Sequence, residues 1–233
     1  MDKQFTFEEL HAIIATLRSE QGCPWDRAQT HESLKSTTLE EAYEVNQAVT
    51  DLTETNNPSN LKEELGDLLL QIMLHTQIAE EKAEFTLEDV IDGLARKMVR
   101  RHPHVFGQKT YHSVEEQQTD WEKIKAMEHD KSVSPREELE NIPLAFPALM
   151  RGQKAAKKAM KHGLLSSDEK TIFKNMLESV VALQMSAADQ EDKANLSEKL
   201  GDTLFSIAWL SAKYGLSPEL ALNEATDAMI RNQ

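Results

Sequence analysis

Two pairs of carboxylates stand at helical spacing near the start of the chain. Glu41 and Glu44 lie three apart in TLEEAYEV (38–45), and Glu64 and Asp67 lie three apart in LKEELGDLLLQ (61–71). Residues three apart on a helix share a face, so each pair points one way. Leu39, Ala42 and Val45 mark an apolar stripe on the first segment, and Leu61, Leu65, Leu68 and Ile72 mark one on the second. If two such helices pack antiparallel through these stripes, the four carboxylates converge. The short NNPSN turn at 56–60 favours that packing. Four uncompensated carboxylates repel one another. A hard divalent cation such as Mg²⁺, which prefers carboxylate and water oxygens, removes the conflict. The plainer alternative is a solvated helix flank, where most helical glutamates lie. Spacing alone leaves both open. Gly66, which costs about 1 kcal/mol relative to alanine inside a helix, reads as a point of close helix approach.

The elements that would position these residues are helical. Glycine and proline are sparse, at 8 and 7 in 233 residues, and no run alternates with the period of a strand. Periodicity and end signals place helices near 6–20, 37–54, 59–82, 87–101, 115–128, 145–161, 168–188, 193–214 and 217–231. Thr86 before Leu-Glu-Asp has the form of an N-cap with acids in the first turn. Ser217-Pro218-Glu219 adds a proline at the first helical position. HPHVFG at 102–107 breaks the helix, because His102 precedes a proline. The polar stretch 129–143 reads as a linker between an N-terminal unit (1–128) and a C-terminal unit (144–233).

The two sides of that stretch are alike. KEELGDLLLQI (62–72) matches SEKLGDTLFSI (197–207) with Leu-Gly-Asp in register. Each is followed by a cap signal and a further helix ending in basic residues. This pattern marks a tandem duplication of one all-α unit.

Charge and composition narrow the function. The net charge is −14, from 26 basic and 40 acidic residues, which argues against binding a nucleic acid polymer. It does not argue against a single phosphorylated ligand held through a cation. One cysteine, Cys23, gives neither a disulfide framework nor a multi-cysteine metal site. The first residues lack the apolar run of a signal peptide. The most apolar stretch, LLLQIML (68–74), falls far short of a membrane span. The expectation is a soluble cytoplasmic protein.

Glu41-x-x-Glu44 followed after nineteen residues by Glu64-x-x-Asp67 resembles the E-x-x-E…E-x-x-D signature of the MazG family, all-α nucleoside triphosphate pyrophosphohydrolases. GCPWDRAQTHESL (22–34), LEEAYEV (39–45), EELGDLLLQ (63–71), RRHPHVFG (100–107), WEKIK (121–125) and PALMRGQKAAKK (147–158) resemble family segments in the same order. The likeness spans nearly the whole chain.

The resemblance implies Mg²⁺-dependent hydrolysis of a nucleoside triphosphate to the monophosphate and pyrophosphate, with Mn²⁺ as a substitute ion. By the same resemblance Glu41, Glu44, Glu64 and Asp67 hold the metal. Glu40 and Glu41 are the candidates for the base that takes a proton from the attacking water. Lys97 and Arg101 are expected to contact phosphate, although cations ending a helix also complement its dipole. Trp121 and Lys125 share a helix face. The indole could stack on a base beside a phosphate-binding lysine, or it could anchor its helix to the core. Trp25, in CPWD, either lines the base pocket or closes a loop. His102 and His104 read equally well as phosphate contacts or turn residues.

The second half departs from the signature. Lys199 and Asp202 stand opposite Glu64 and Asp67. Glu178 stands opposite Glu41, which puts Val181 opposite Glu44. Ala228 and Asn232 replace Lys97 and Arg101, and the chain stops at Gln233, where family members continue into a second Trp-x-x-x-Lys helix. The C-terminal unit therefore reads as a degenerate, shortened copy, with activity in the N-terminal unit. One unit has few helices to enclose a site, so a homodimer, or pairing of the halves, is expected. Besides an enzyme of nucleotide-pool house-cleaning, two readings compete. One is a non-catalytic protein of the same fold that senses nucleotides or binds a partner. The other is a relative acting on a phosphoribosyl-nucleotide, against which the tandem organisation and the CPWD and HPHVF segments speak.

Overall fold

A computed structural model describes residues 3–128, 133–188 and 192–232, and among these every regular element is an α-helix. The chain divides into two compact units, Met1–Lys125 and Ala126–Gln233.

Unit 1 begins with α1 (Phe7–Arg18), started by a capping box between Thr6 and Glu9. A short α2 (Pro24–Ala28) packs on α1. Between them, a Cβ on Gly22 would lie 2.2 Å from the Thr16 carbonyl oxygen, so only glycine fits this bend. α3 (Lys35–Thr55) ends at Asn56, whose left-handed backbone (φ 55°) returns an N–H to the Leu52 carbonyl. Asn57 and Pro58 complete the reversal, and α4 (Ser59–Glu81) folds back on α3 as a hairpin. α1 and α5 (Leu87–Arg101) also pack on α4. α5 opens with the expected cap at Thr86, a capping box with Asp89. His102 closes it and Pro103 starts the single turn α6 (Pro103–Phe106). α7 (Val114–Met127) follows.

The core of unit 1 sits where α1, α4 and the start of α5 meet: Ile14, Leu34, Met73, Leu74, Ile78 and Leu87 are buried together. Truncating a fully buried side chain such as Met73 to alanine costs about 2–5 kcal/mol. The apolar stripes read from sequence are not this core. Leu39, Leu65 and Ile72 are 51%, 50% and 46% exposed. Both hairpin helices carry apolar residues on more than one face, and the chain covers only the face turned to the adjoining helices. Gly66 also needs correction, since a Cβ there would meet nothing within 4 Å, so it is not a close-approach point.

Unit 2 repeats the plan. α10 (Glu169–Ala188) and α11 (Lys193–Tyr214) form the hairpin, with α9 (Ala148–Lys161) on α11 and α12 (Pro218–Arg231) on both α9 and α11. Ser217 caps α12 and Pro218 opens it. Trp209, seven residues beyond the matched Leu-Gly-Asp as Leu74 is in α4, packs with Ala156 and Ile172 and donates its indole N–H to the Ser166 carbonyl at 3.1 Å. Close helix approach occurs here at Gly152, where a Cβ would lie 3.1 Å from that of Ala208. The stretch read as a linker is helical in part. α8 (Pro135–Glu140) packs on α9 through Glu138, while 129–132 lie outside the described residues. The short helices α2, α6 and α8 lack the length on which periodicity depends.

Candidate metal centre

Glu41 on α3 and Glu64 and Asp67 on α4 each bring a carboxylate oxygen to within 4.8 Å of the others. All three are partly buried. The hairpin produces this convergence, because a tight turn makes α3 and α4 antiparallel and packs them against each other. Glu44 is more exposed and lies outside the triple, but its carboxyl hydrogen-bonds that of Glu41. Glu40 is exposed, and as a chain neighbour of Glu41 it stands about 100° round the helix. It does not join the cluster.

Crowding shows in the protonation of these groups. Desolvation pushes the Glu41 carboxyl above the usual carboxylate range, and Glu44, Asp67 and Glu64 push it further. Desolvation likewise raises Glu64, with Glu44, Asp67 and Glu63 adding to it. Such a set favours a bound positive charge. An octahedral cation with ligand distances of about 2.1 Å places its ligands about 3–4 Å apart, so a small closure of these side chains suffices. The donors are all carboxylate oxygens, which suits a hard ion.

The other sequence candidates are distributed over unit 1. Lys97 and Arg101 occupy the last turns of α5, which packs on α4. The Arg101 guanidinium lies 5.4 Å from the centroid of the Trp121 ring, and His102 meets the same ring edge-on at 5.0 Å. Trp121 is half-buried and so anchors α7 to the end of α5. The anchoring is reinforced by Asp120, which accepts from Tyr111 at 2.5 Å and pairs with Lys109 at 2.6 Å. That carboxylate pushes the Tyr111 hydroxyl up to about 12. Lys125, one turn beyond Trp121, is exposed. Trp25 on α2 is 76% exposed and so does not close over the core. His102 Nδ1 lies 2.6 Å from the Met98 carbonyl of α5 and His104 Nε2 lies 3.2 Å from the Gln117 amide nitrogen of α7, so both rings tie the turn to its flanking helices.

Unit 2 lacks the cluster among its described residues. Lys199 Nζ lies 3.2 Å from Glu198 and 4.0 Å from Asp202, and Glu178 pairs with Lys174 at 3.7 Å. An ammonium occupies the position that Glu64 holds in unit 1.

Sequence reasoning missed three polar residues on the α3–α4 seam: Thr38, Gln71 and His75. Their signal was available. Thr38 precedes Glu41 by three, and Gln71 and His75 follow Asp67 by four and eight, so each shares a face with a carboxylate.

Residues 29–106 match the model of the MazG nucleotide pyrophosphohydrolase domain. That segment holds all four carboxylates, Lys97 and Arg101, and ends before Trp121. Over 220 residues the chain is 42% identical to the nucleoside triphosphate pyrophosphohydrolase/pyrophosphatase MazG of Thermotoga maritima, covering 94% of this chain and 81% of that protein. It is 34% identical over 226 residues to a nucleoside triphosphate pyrophosphohydrolase of Escherichia coli, covering 96% and 84%. It is 37% identical over 225 residues to the uncharacterized protein YabN of Bacillus subtilis, covering 97% of this chain and 45% of that protein.

Proposed function

The chain belongs to the MazG nucleotide pyrophosphohydrolase family, and from that membership we propose that it hydrolyses nucleoside triphosphates to the monophosphate and pyrophosphate at the carboxylates of unit 1. The observation that carries this reading is the convergence of Glu41, Glu64 and Asp67 inside the matched segment. Glu41, Glu44, Glu64 and Asp67 are the residues assigned to hold the metal, Mg²⁺ by preference and Mn²⁺ in its place. When bound, the ion offsets the charge of the triphosphate and makes a water more acidic. Glu41 with its hydrogen-bonded neighbour Glu44 is the assigned proton acceptor, since Glu40 stands outside the cluster. Lys97 and Arg101 supply positive charge from α5 for the phosphates, and Lys125 from α7. Arg101 over the Trp121 ring puts a guanidinium and an aromatic edge together, which suits a ligand with phosphate at one end and a base at the other. Trp25, exposed on α2, is available to stack on the base.

A homodimer is part of the same reading. The hairpins present apolar side chains that the chain leaves uncovered, among them Leu177, Val181, Met185 and Leu200 on α10 and α11. Surfaces of this kind mark association. The acidic balance supports a free nucleotide rather than a polymer as substrate. No helix of the described residues is long and apolar enough to cross a membrane. We place the protein in the cytoplasm, acting on the nucleotide pool.

The test is pyrophosphate release from the common ribo- and deoxyribonucleoside triphosphates with Mg²⁺, with Mn²⁺ and with EDTA. Metal-dependent release with monophosphate as co-product is expected. Nucleotide binding without release would overturn catalysis in favour of a sensor.

A further inference from the structure

One turn from Glu41, a second polar contact joins α3 to α4. Thr38 Oγ1 lies 3.2 Å from His75 Nε2 and donates its proton to the Leu34 carbonyl at 2.8 Å. A hydroxyl has one proton to donate, so Thr38 accepts from His75, and His75 carries its proton on Nε2. Its Nδ1 is then an acceptor. It lies 2.8 Å from Nδ1 of His31, in the segment before α3, with the two rings 8° from parallel. His31 must therefore donate from Nδ1. The chain of bonds has a single direction: His31 to His75, His75 to Thr38, Thr38 to the Leu34 carbonyl. The tautomers follow from counting protons, with no freedom left.

This contact lies on the seam that carries the metal cluster. Thr38 and Glu41 share a face of α3, and His75, Gln71 and Asp67 share one of α4. Gln71 is 4% exposed and its amide oxygen is buried without a partner, so this stretch of the seam is tightly closed. Apolar side chains tolerate small sliding between helices, whereas a hydrogen bond does not. A shift of one residue, about 1.5 Å along the axis, would break the bond to Thr38 and move Glu41 equally against Asp67 and Glu64.

We propose that His75 is a positioning residue for the metal-holding carboxylates: its bond to Thr38, given direction by His31, fixes the axial register of α3 on α4. The proposal rests on the reading of those carboxylates as a metal site. It also carries a pH dependence. Nε2 of His31 lies 4.0 Å from Glu84 and takes no part in these bonds. A proton on Nδ1 of His75 would set N–H against N–H. Burial and the charge of His31 both hold His75 below the ordinary histidine range. The register therefore fails where His75 takes up that proton, at a pH below the ordinary histidine range. Glu84, from the turn after α4, is the charged group facing the pair. α1 directs His11 to Glu80 and Arg18 to Glu81, and the acids at the start of α5 cap that helix.

The experiment is Mn²⁺ binding to the nucleotide-free full chain, read from the electron paramagnetic resonance of the free ion across a pH series. His75→Leu and Thr38→Val should each weaken binding about tenfold with the helical circular dichroism intact, and the double variant should bind no more weakly than either. His75→Gln, whose amide nitrogen replaces Nε2, should bind as the wild type does and lose the extra weakening at low pH. If His75→Leu does not fold, Thr38→Val carries the comparison. Wild-type affinity in Thr38→Val, or equal loss in His75→Gln and His75→Leu, overturns the positioning role. Glu64→Gln separates the two readings: if it binds Mn²⁺ like the wild type, or the wild type does not bind at all, the metal site itself is overturned.

Discussion

Arg18 grips Glu81 with two parallel bonds, Nε to Oε1 at 2.9 Å and Nη2 to Oε2 at 2.8 Å, while its Nη1 donates to the carbonyls of Asp26 and Gln29. The side chain is 4% exposed. A planar guanidinium holds its donors in one fixed fork. This residue therefore binds the end of α1, the end of α4 and the α2 segment bearing Trp25 into one block.

Arg18→Leu should cost about 2 kcal/mol in urea unfolding at neutral pH, because the half-exposed Glu81 carboxylate and two carbonyls lose the buried guanidinium that served them. The Arg18 guanidinium holds Glu81 below the ordinary carboxylate value of 4.5. Its stabilisation is thus complete above that value and is lost as pH falls through the lower folded value. The gap between variant and wild type should narrow in acid, and a gap constant from neutral pH down to about pH 2 would assign the loss to packing instead.

Glu41 and Glu64 respond in the opposite sense. Their folded carboxyls are raised above 4.5, so the folded chain keeps protons that the unfolded chain has released. Metal-free stability should fall as pH rises through that window. Thermal melting across the range, with Mg²⁺ and then EDTA, checks it: Mg²⁺ should restore what neutral pH removes. Glu64→Gln should reduce the fall, abolish the Mg²⁺ effect and lower turnover at least about a hundredfold, the upper end of what losing even a group behind a metal ligand does.

Gly66→Ala should raise stability by about 1 kcal/mol in denaturant titration, since the helix gains propensity and the new methyl group meets nothing. A loss instead would show that something in solution occupies this exposed face of α4.

Glu138 ties α8 to α9 by accepting from His162 at 2.5 Å and from Lys158 at 3.2 Å. The His162 bond, with Lys158 and Lys161 nearby, holds its carboxyl down to about 2. Glu138→Gln should cost about 2 kcal/mol at neutral pH. The contribution is present above 4.5 and lost as pH falls towards 2, so the two proteins should converge in strong acid.

Much of this was legible in the sequence because it is local. The long helices follow from periodicity, their starts from Thr86 and Ser217, and the meeting of Glu41 with Glu64 and Asp67 from two spacings and one short turn. What escaped depends on residues far apart in the chain. Arg18 and Glu81 are separated by 63 positions and His31 and His75 by 44, and no spacing rule joins them. The buried faces escaped for a different reason. Leu39 and Leu65 are as apolar as Leu34 and Leu74, and only the placement of α1 and α5 decides which are covered. The missed seam residues, Thr38 and His75, were within reach of the same face-sharing argument that found the acids.

Lys199→Ala should leave nucleotide turnover unchanged, as measured by pyrophosphate release, because its ammonium pairs with Glu198 and Asp202 of unit 2. A large loss of turnover would give the second unit a share in catalysis.

That same ammonium gives the two halves different chemistry with their surroundings. In unit 2 the counter-ion is tethered by covalent bonds and is present at a fixed ratio of one per chain, whatever the solution holds. On the proposed metal reading unit 1 must recruit its counter-ion, so the hairpin of α3 and α4 would be coupled to the supply of free divalent ions and that of α10 and α11 would not. On that reading one polypeptide carries a responsive copy and an insulated copy of the same helical plan.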